Sequence, residues 1–217
     1  MKTGKKQFVL ALVALLALVV PGRGEEIDRI VATVNARVIL ASELDDTVRF
    51  ECFLNGCSQD SVTGEDHRAT LERLVDQALL EQQMENTGFV HAGAQDVARR
   101  LEEIRRQMPG LEAEESWQAA YSKFGLTLPV LEERVARQLD LERYIDQRFR
   151  PTVFVDNASV ETYYREKLVA RLGSNAARPP LNEVRPQIER ILTEERLNEL
   201  LASWLNTLRS QSEIEMP

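Results

Sequence analysis

LVARLGSNAARPPLNEVR, residues 168 to 185, separates two helical patterns, and nothing between Gly173 and Pro180 is periodic. The first pattern, DNASVETYYREKL, starts at Asp156 or Asn157, residues suited to helix N-caps. The second runs from Leu181 to Ser210 and carries Pro186 in an early turn, where the lost backbone donor is expected to cost no intrahelical bond. Twelve residues separate Leu168 from Leu181, too few for an independently folded lobe. The two helices on either side are therefore expected to belong to one helical body.

The last helix has an unusual face pattern. At about 100° per residue, Val184, Ile188, Ile191 and Leu192 point one way. Leu197, Leu200, Leu201, Trp204, Leu205 and Leu208 point nearly opposite, with TEER between the two stripes. Either the helix breaks near Thr193, or its halves bury against different partners. The second half would meet the domain's own core; the first would meet a neighbouring lobe, a second subunit or a bound polypeptide.

Upstream, residues 27 to 40, IDRIVATVNARVIL, read as two β-branched runs around Asn35-Ala36-Arg37, a hairpin or a bent strand pair. Ser42 opens S-E-L-D, a capping-box variant expected to start a short helix ending near Phe53. Leu71, Leu74, Val75, Ala78 and Leu79 form a core-facing helical stripe that stops by Gly88. Val97, Leu101, Ile104 and Met108 mark the next helix, and Trp117, Ala120, Tyr121 and Phe124 a short one before Gly125. Thr127 is the expected cap of a fifth helix that tolerates Pro129 and ends at Arg150-Pro151. Residues 212 to 216, SEIEM, alternate as a short strand does and can pair with residues 30 to 34. The fold class is mainly α, with a small β element joining the two ends of the chain.

Residues 1 to 24 read as a secretory signal peptide: Lys2, Lys5 and Lys6 precede an uncharged run from Phe8 to Val20, and cleavage is expected after Gly24. That run is too short to span a bilayer comfortably. The leader holds four of the 27 basic residues and none of the 35 acidic ones, so the mature chain carries −12. Such a balance argues against nucleic acid and against anionic membrane surfaces as partners. Export also favours pairing of Cys52 and Cys57, in FECFLNGC, as a structural disulfide; their four-residue gap is not that of thiol oxidoreductases.

Catalytic patterns fail in turn. Gly88 and Gly93 have phosphate-loop spacing but no following Lys-Ser/Thr, and neither G-x-S-x-G nor G-x-G-x-x-G occurs. His67 and His91 are the two histidines, and neither has a second ligand at i+3 or i+4, so no zinc site is expected. Glu102-Glu103 and Glu132-Glu133 lie on polar helix faces, where solvation explains them. No catalytic residue, metal or cofactor is expected.

The order VATVNARVILASELD, then LERLVDQALLEQQMENTG, then a regular helical run, resembles the N-terminal module of the SurA-type periplasmic chaperones, relatives of the parvulin-type isomerases PpiD and PrsA. Residues 179 to 216 look like the segment that follows the parvulin domain there and folds back on the module. The resemblance covers about residues 27 to 168 and 181 to 216. It implies a signal peptide over 1–24, a helical chaperone module over 25–168, a linker over 169–180 where the relatives carry one or two parvulin domains, and a returning helix and strand over 181–217. The parvulin G-G-x-L-G turn and active-site histidines have no counterpart, since no glycine follows Gly173 and no histidine follows His91.

The function so implied is an ATP-independent periplasmic holdase for unfolded exported polypeptides, outer-membrane precursors foremost. Phe154, Tyr163, Tyr164, Val184, Ile188 and Ile191 are the candidate contact residues; the same six can equally be plain core. Residual isomerase activity and a homodimer built on the first-half stripe of the last helix are the alternatives.

Overall fold

The computed structural model describes residues 28–170 and 178–217. The leader and most of the 169–180 linker lie outside the described residues.

The sequence's hairpin is present as β1 (Ile30–Val34) and β2 (Arg37–Leu40), antiparallel, with an irregularity between Ile30 and Ala32. Asn35 takes the left-handed turn position at φ 53°, which asparagine tolerates better than most residues. Seven helices follow among the described residues. They are α1 (Ala41–Asn55), α2 (Gly64–Glu85), α3 (Ala94–Gln107), α4 (Glu114–Ser122), α5 (Leu128–Phe149), α6 (Asn157–Tyr163) and α7 (Leu181–Ser210). A π-helical turn, Tyr164–Val169, continues α6. The chain ends on β3 (Ile214–Glu215), which pairs antiparallel with β1, so the sheet order is β2-β1-β3.

Three local expectations need correction. Ser42 is inside α1 and does not cap it: the N-cap is Leu40, and the Ser42 hydroxyl donates instead to the Asp28 carboxylate, which that bond holds below the usual carboxylate range. Thr127 occupies the N-cap position of α5 but makes no side-chain cap bond. Thr63, overlooked in sequence, closes a full capping box with Asp66 at the start of α2, because the shorter Asp reaches back as Glu does. Finally, Pro186 is the sixth residue of α7, beyond the turn whose donors are free, so the Asn182 carbonyl loses its helical partner. The helix nevertheless continues unbroken.

Two apolar clusters form the body. In the first, Ala32, Val34 and Ile39 of the hairpin meet Leu74, Val75, Ala78 and Leu79 of α2 and Leu208 of α7. In the second, Phe50 and Phe53 of α1 meet Val97, Leu101, Trp117, Tyr121, Leu131 and Val135 from α3, α4 and α5. Helix α1 contributes to both, and thereby fastens the sheet to the α3–α5 layer. Its last turn ends at Gly56, left-handed at φ 64°, and Cys52 is joined to Cys57 across that turn with Cα atoms 5.0 Å apart. By loop entropy so short a ring contributes about 2 kcal/mol. Reduction with a dithiol is expected to lower the melting temperature by about 4 to 8 °C, read by circular dichroism.

The chain ends are clamped at Asn35. Its side chain donates to Gln82 Oε1 at 2.8 Å and accepts from the Glu213 amide at 3.0 Å, while its own amide donates to the Glu213 carbonyl at 2.8 Å. Gln82 returns a bond to the Val34 carbonyl at 3.1 Å. Arg209, near the end of α7, bonds Asp76 at 2.6 Å and Glu72 at 2.8 Å on α2, and those two carboxylates hold its guanidinium above the usual range.

The opposed stripes of α7 now have an explanation. The helix is continuous, about 45 Å long. Its second half packs on α2 and α5, and its first half on α6, so each stripe has its own partner within the chain. Val160 of α6 and Ile188 of α7 are 1% and 0% exposed, and neither belongs to the two larger clusters.

Candidate functional site

Where α5 and the second half of α7 diverge, they leave a cleft of about 540 Å³. Ile145 of α5 and Leu197 and Leu201 of α7 form its apolar floor, because both helices turn their core stripes inward here. Charged side chains form the rim. Arg150 bonds Asp146 one turn back and reaches across to Glu194 of α7 at 3.1 Å, and these two carboxylates, Asp146 first, hold its guanidinium above the usual range. The rim is thus nearly neutral, and the floor remains apolar.

A line of aromatic rings fixes the far side of the same helix pair. Phe89 meets Tyr144 edge to face at 5.8 Å between centroids, Tyr144 lies 6.1 Å from Trp204, and Phe149 meets Trp204 at 5.3 Å. The Arg148 guanidinium sits 4.2 Å above the Trp204 ring, a cation–π contact. These contacts hold the cleft's walls at a set spacing.

The six contact residues expected from sequence divide. Phe154, in the connection after the Arg150–Thr152 turn, is 84% exposed, and Ile191 of α7 is 39% exposed. Tyr163 and Val184 are half-buried. Tyr164 is half-buried too, and its hydroxyl donates to the Pro179 carbonyl at 2.7 Å, fastening the π-helical turn to the start of α7. Ile188 is completely buried, which fits the plain-core alternative and not a contact with a bound polypeptide. Phe154 and Ile191 remain as large apolar side chains offered to solvent beside the Arg150–Glu194 bridge in sequence.

Compared with known proteins, the chain is 25% identical over 201 residues to Chaperone SurA from Hahella chejuensis, an alignment covering 85% of this chain. The chain is thus similar to a SurA chaperone over most of its length. It spans 45% of that SurA's length. No family model matches it. The SurA likeness supports the resemblance already carried by VATVNARVILASELD.

Other polar features are structural in character. Asp140, buried in α5, accepts from the Ala92 amide at 2.6 Å and contacts His91 Nδ1 at 2.7 Å, tying the loop before α3 to α5. His91 itself is mostly solvent-exposed, and Glu102, Glu103, Glu132 and Glu133 are all exposed. Arg134 of α5 is half-buried against α1, donating to Thr47 at 2.8 Å and lying over Phe50; partial burial lowers its basicity. Sequence reading missed the Arg150–Glu194 and His91–Asp140 contacts. Helical periodicity gives each helix's face but not which helix lies opposite.

Proposed function

We propose that this protein is an ATP-independent holdase for unfolded polypeptides in the bacterial periplasm, with outer-membrane precursors as its clients, and that it works without catalysis. The observation carrying the reading is the exposure of Phe154 and Ile191 on a SurA-like helical frame whose α5–α7 cleft has an apolar floor. Unfolded exported chains present apolar side chains at strand spacing, and a fixed helical surface with exposed aromatic and aliphatic groups gives them partial burial. Ordering such a client costs conformational entropy, so binding is weak and reversible, as suits transfer to a later partner. The acidic exterior keeps the loaded complex soluble. Among the described residues no helix is long and apolar enough to cross a membrane.

Absence of isomerase activity is part of the proposal, and it rests on the twelve residues between Leu168 and Leu181. Suppression of light scattering by a denatured porin, run beside a protease-coupled proline tetrapeptide assay, tests both halves. The expected result is suppression at near-stoichiometric ratios with a proline rate no faster than the uncatalysed one. Because Phe154 and Ile191 are already exposed, F154E/I191E should weaken suppression at least threefold with the melting temperature unchanged within about 2 °C. Unaltered suppression would remove these two residues from the client surface.

A further inference from the structure

A second groove, of about 480 Å³, opens between the end of α1 and the α3–α4 connection, beside the second core cluster. Phe53, Leu54, Met108, Leu111, Ala120 and Phe124 line it. Phe53 is buried, 5.4 Å from the Trp117 ring and 5.7 Å from Phe124, so the base is rigid. Leu54, Met108, Leu111, Ala120 and Phe124 are half-buried and turn part of their apolar surface outward. Met108 can adapt to the shape of what it meets. One wall is the Gly56-Cys57 turn, held by the bond to Cys52, and Gln59 Nε2 donates to the Lys123 carbonyl at 2.9 Å, joining that wall to the end of α4. The volume is within the range of small-ligand pockets, about 300 to 1,000 Å³.

Charge sets this groove apart from the rest of the surface. The chain carries a net −8, yet no acidic residue lines the groove, and its one charged lining residue is Lys123. Lys123 is exposed and takes part in no ion pair among the described residues. An unpaired ammonium at the mouth of an apolar slot complements a group that is apolar at one end and anionic at the other.

We infer that this groove binds an extended peptide segment by one large apolar side chain, with a neighbouring carboxylate set against Lys123. The inference goes beyond the holdase reading, since it assigns a preference for particular segments, and it stands or falls separately. Fluorescein-labelled hexapeptides centred on Phe-Asp, Phe-Lys and Ser-Asp, titrated by anisotropy against the oxidised protein, test it. Phe-Asp should bind about tenfold tighter than Ser-Asp, from burial of the ring, and about threefold to fivefold tighter than Phe-Lys, from the change of charge. K123E, at an exposed position that leaves the fold alone, should reverse the order of Phe-Asp and Phe-Lys. Equal affinity for the three peptides, no binding at millimolar peptide, or an order unchanged in K123E overturns the inference. Porin scattering measured on the same samples separates the two readings: peptide order without suppression removes the holdase and leaves the groove, and suppression without peptide order does the reverse.

Discussion

Ile188→Asp is expected to release α6 from α7 while leaving the rest of the molecule folded. Ile188 is 0% exposed and Val160, on the helix packed against α7, is 1% exposed, and neither belongs to the two large clusters. Truncating a buried isoleucine costs about 2 to 5 kcal/mol, and a carboxylate placed there adds the penalty of an unpaired buried charge. The short α6 and its π-helical turn cannot absorb so large a loss, since an isolated helix of this length is not stable in water. Hydrogen exchange should therefore rise sharply across residues 157 to 169 and 181 to 192. Amides of β1, α2 and the second half of α7 should stay protected, because Leu208 and Arg209 still anchor that half to α2. Uniform loss of protection would mean that the α6–α7 packing and the two large clusters melt as one unit. Unchanged protection would mean that the α6–α7 packing is not what holds Ile188.

Leu79→Ala should act on the whole molecule. Leu79 is 2% exposed and belongs to the cluster where the hairpin, α2 and the last turns of α7 converge. A Leu-to-Ala change at such a site costs about 3 to 4 kcal/mol, and for a chain of this size that lowers the melting temperature by about 10 °C. Denaturant unfolding followed at once by far-ultraviolet dichroism and by tryptophan fluorescence measures it. A shift confined to one of the two probes would show that the clusters unfold separately, contrary to the bridging role of α1.

Much of this architecture is legible in the residues. Two β-branched runs around Asn35 pointed to the hairpin; the apolar stripes pointed to α2, whose start lies five residues before the periodic pattern begins at Ala69, and to α7, and the Thr127 and Arg150-Pro151 signals bounded α5. The pairing of residues 212 to 216 with the hairpin was readable from their alternation. Capping was less legible: Ser42, Thr63 and Thr127 are all sensible caps, and which hydroxyl meets an amide depends on the entry path of the chain, as Asp28 shows by diverting Ser42. Exposure at the candidate contact residues was legible only in part: Phe154 and Ile191 stand exposed, whereas Ile188, three residues before Ile191 on the same stripe, is buried. Periodicity cannot see where a covering helix stops.

The Asn35 clamp has a kinetic consequence. It joins positions 178 residues apart, so the third strand of the sheet cannot be set until residue 215 has emerged. Contacts of such sequence separation are made late, after a large loop has been closed. The nascent module must wait with the edge of β1 unpaired and Leu208's place in the first cluster vacant, an interval in which it exposes the same kind of surface as the polypeptides proposed to be its clients.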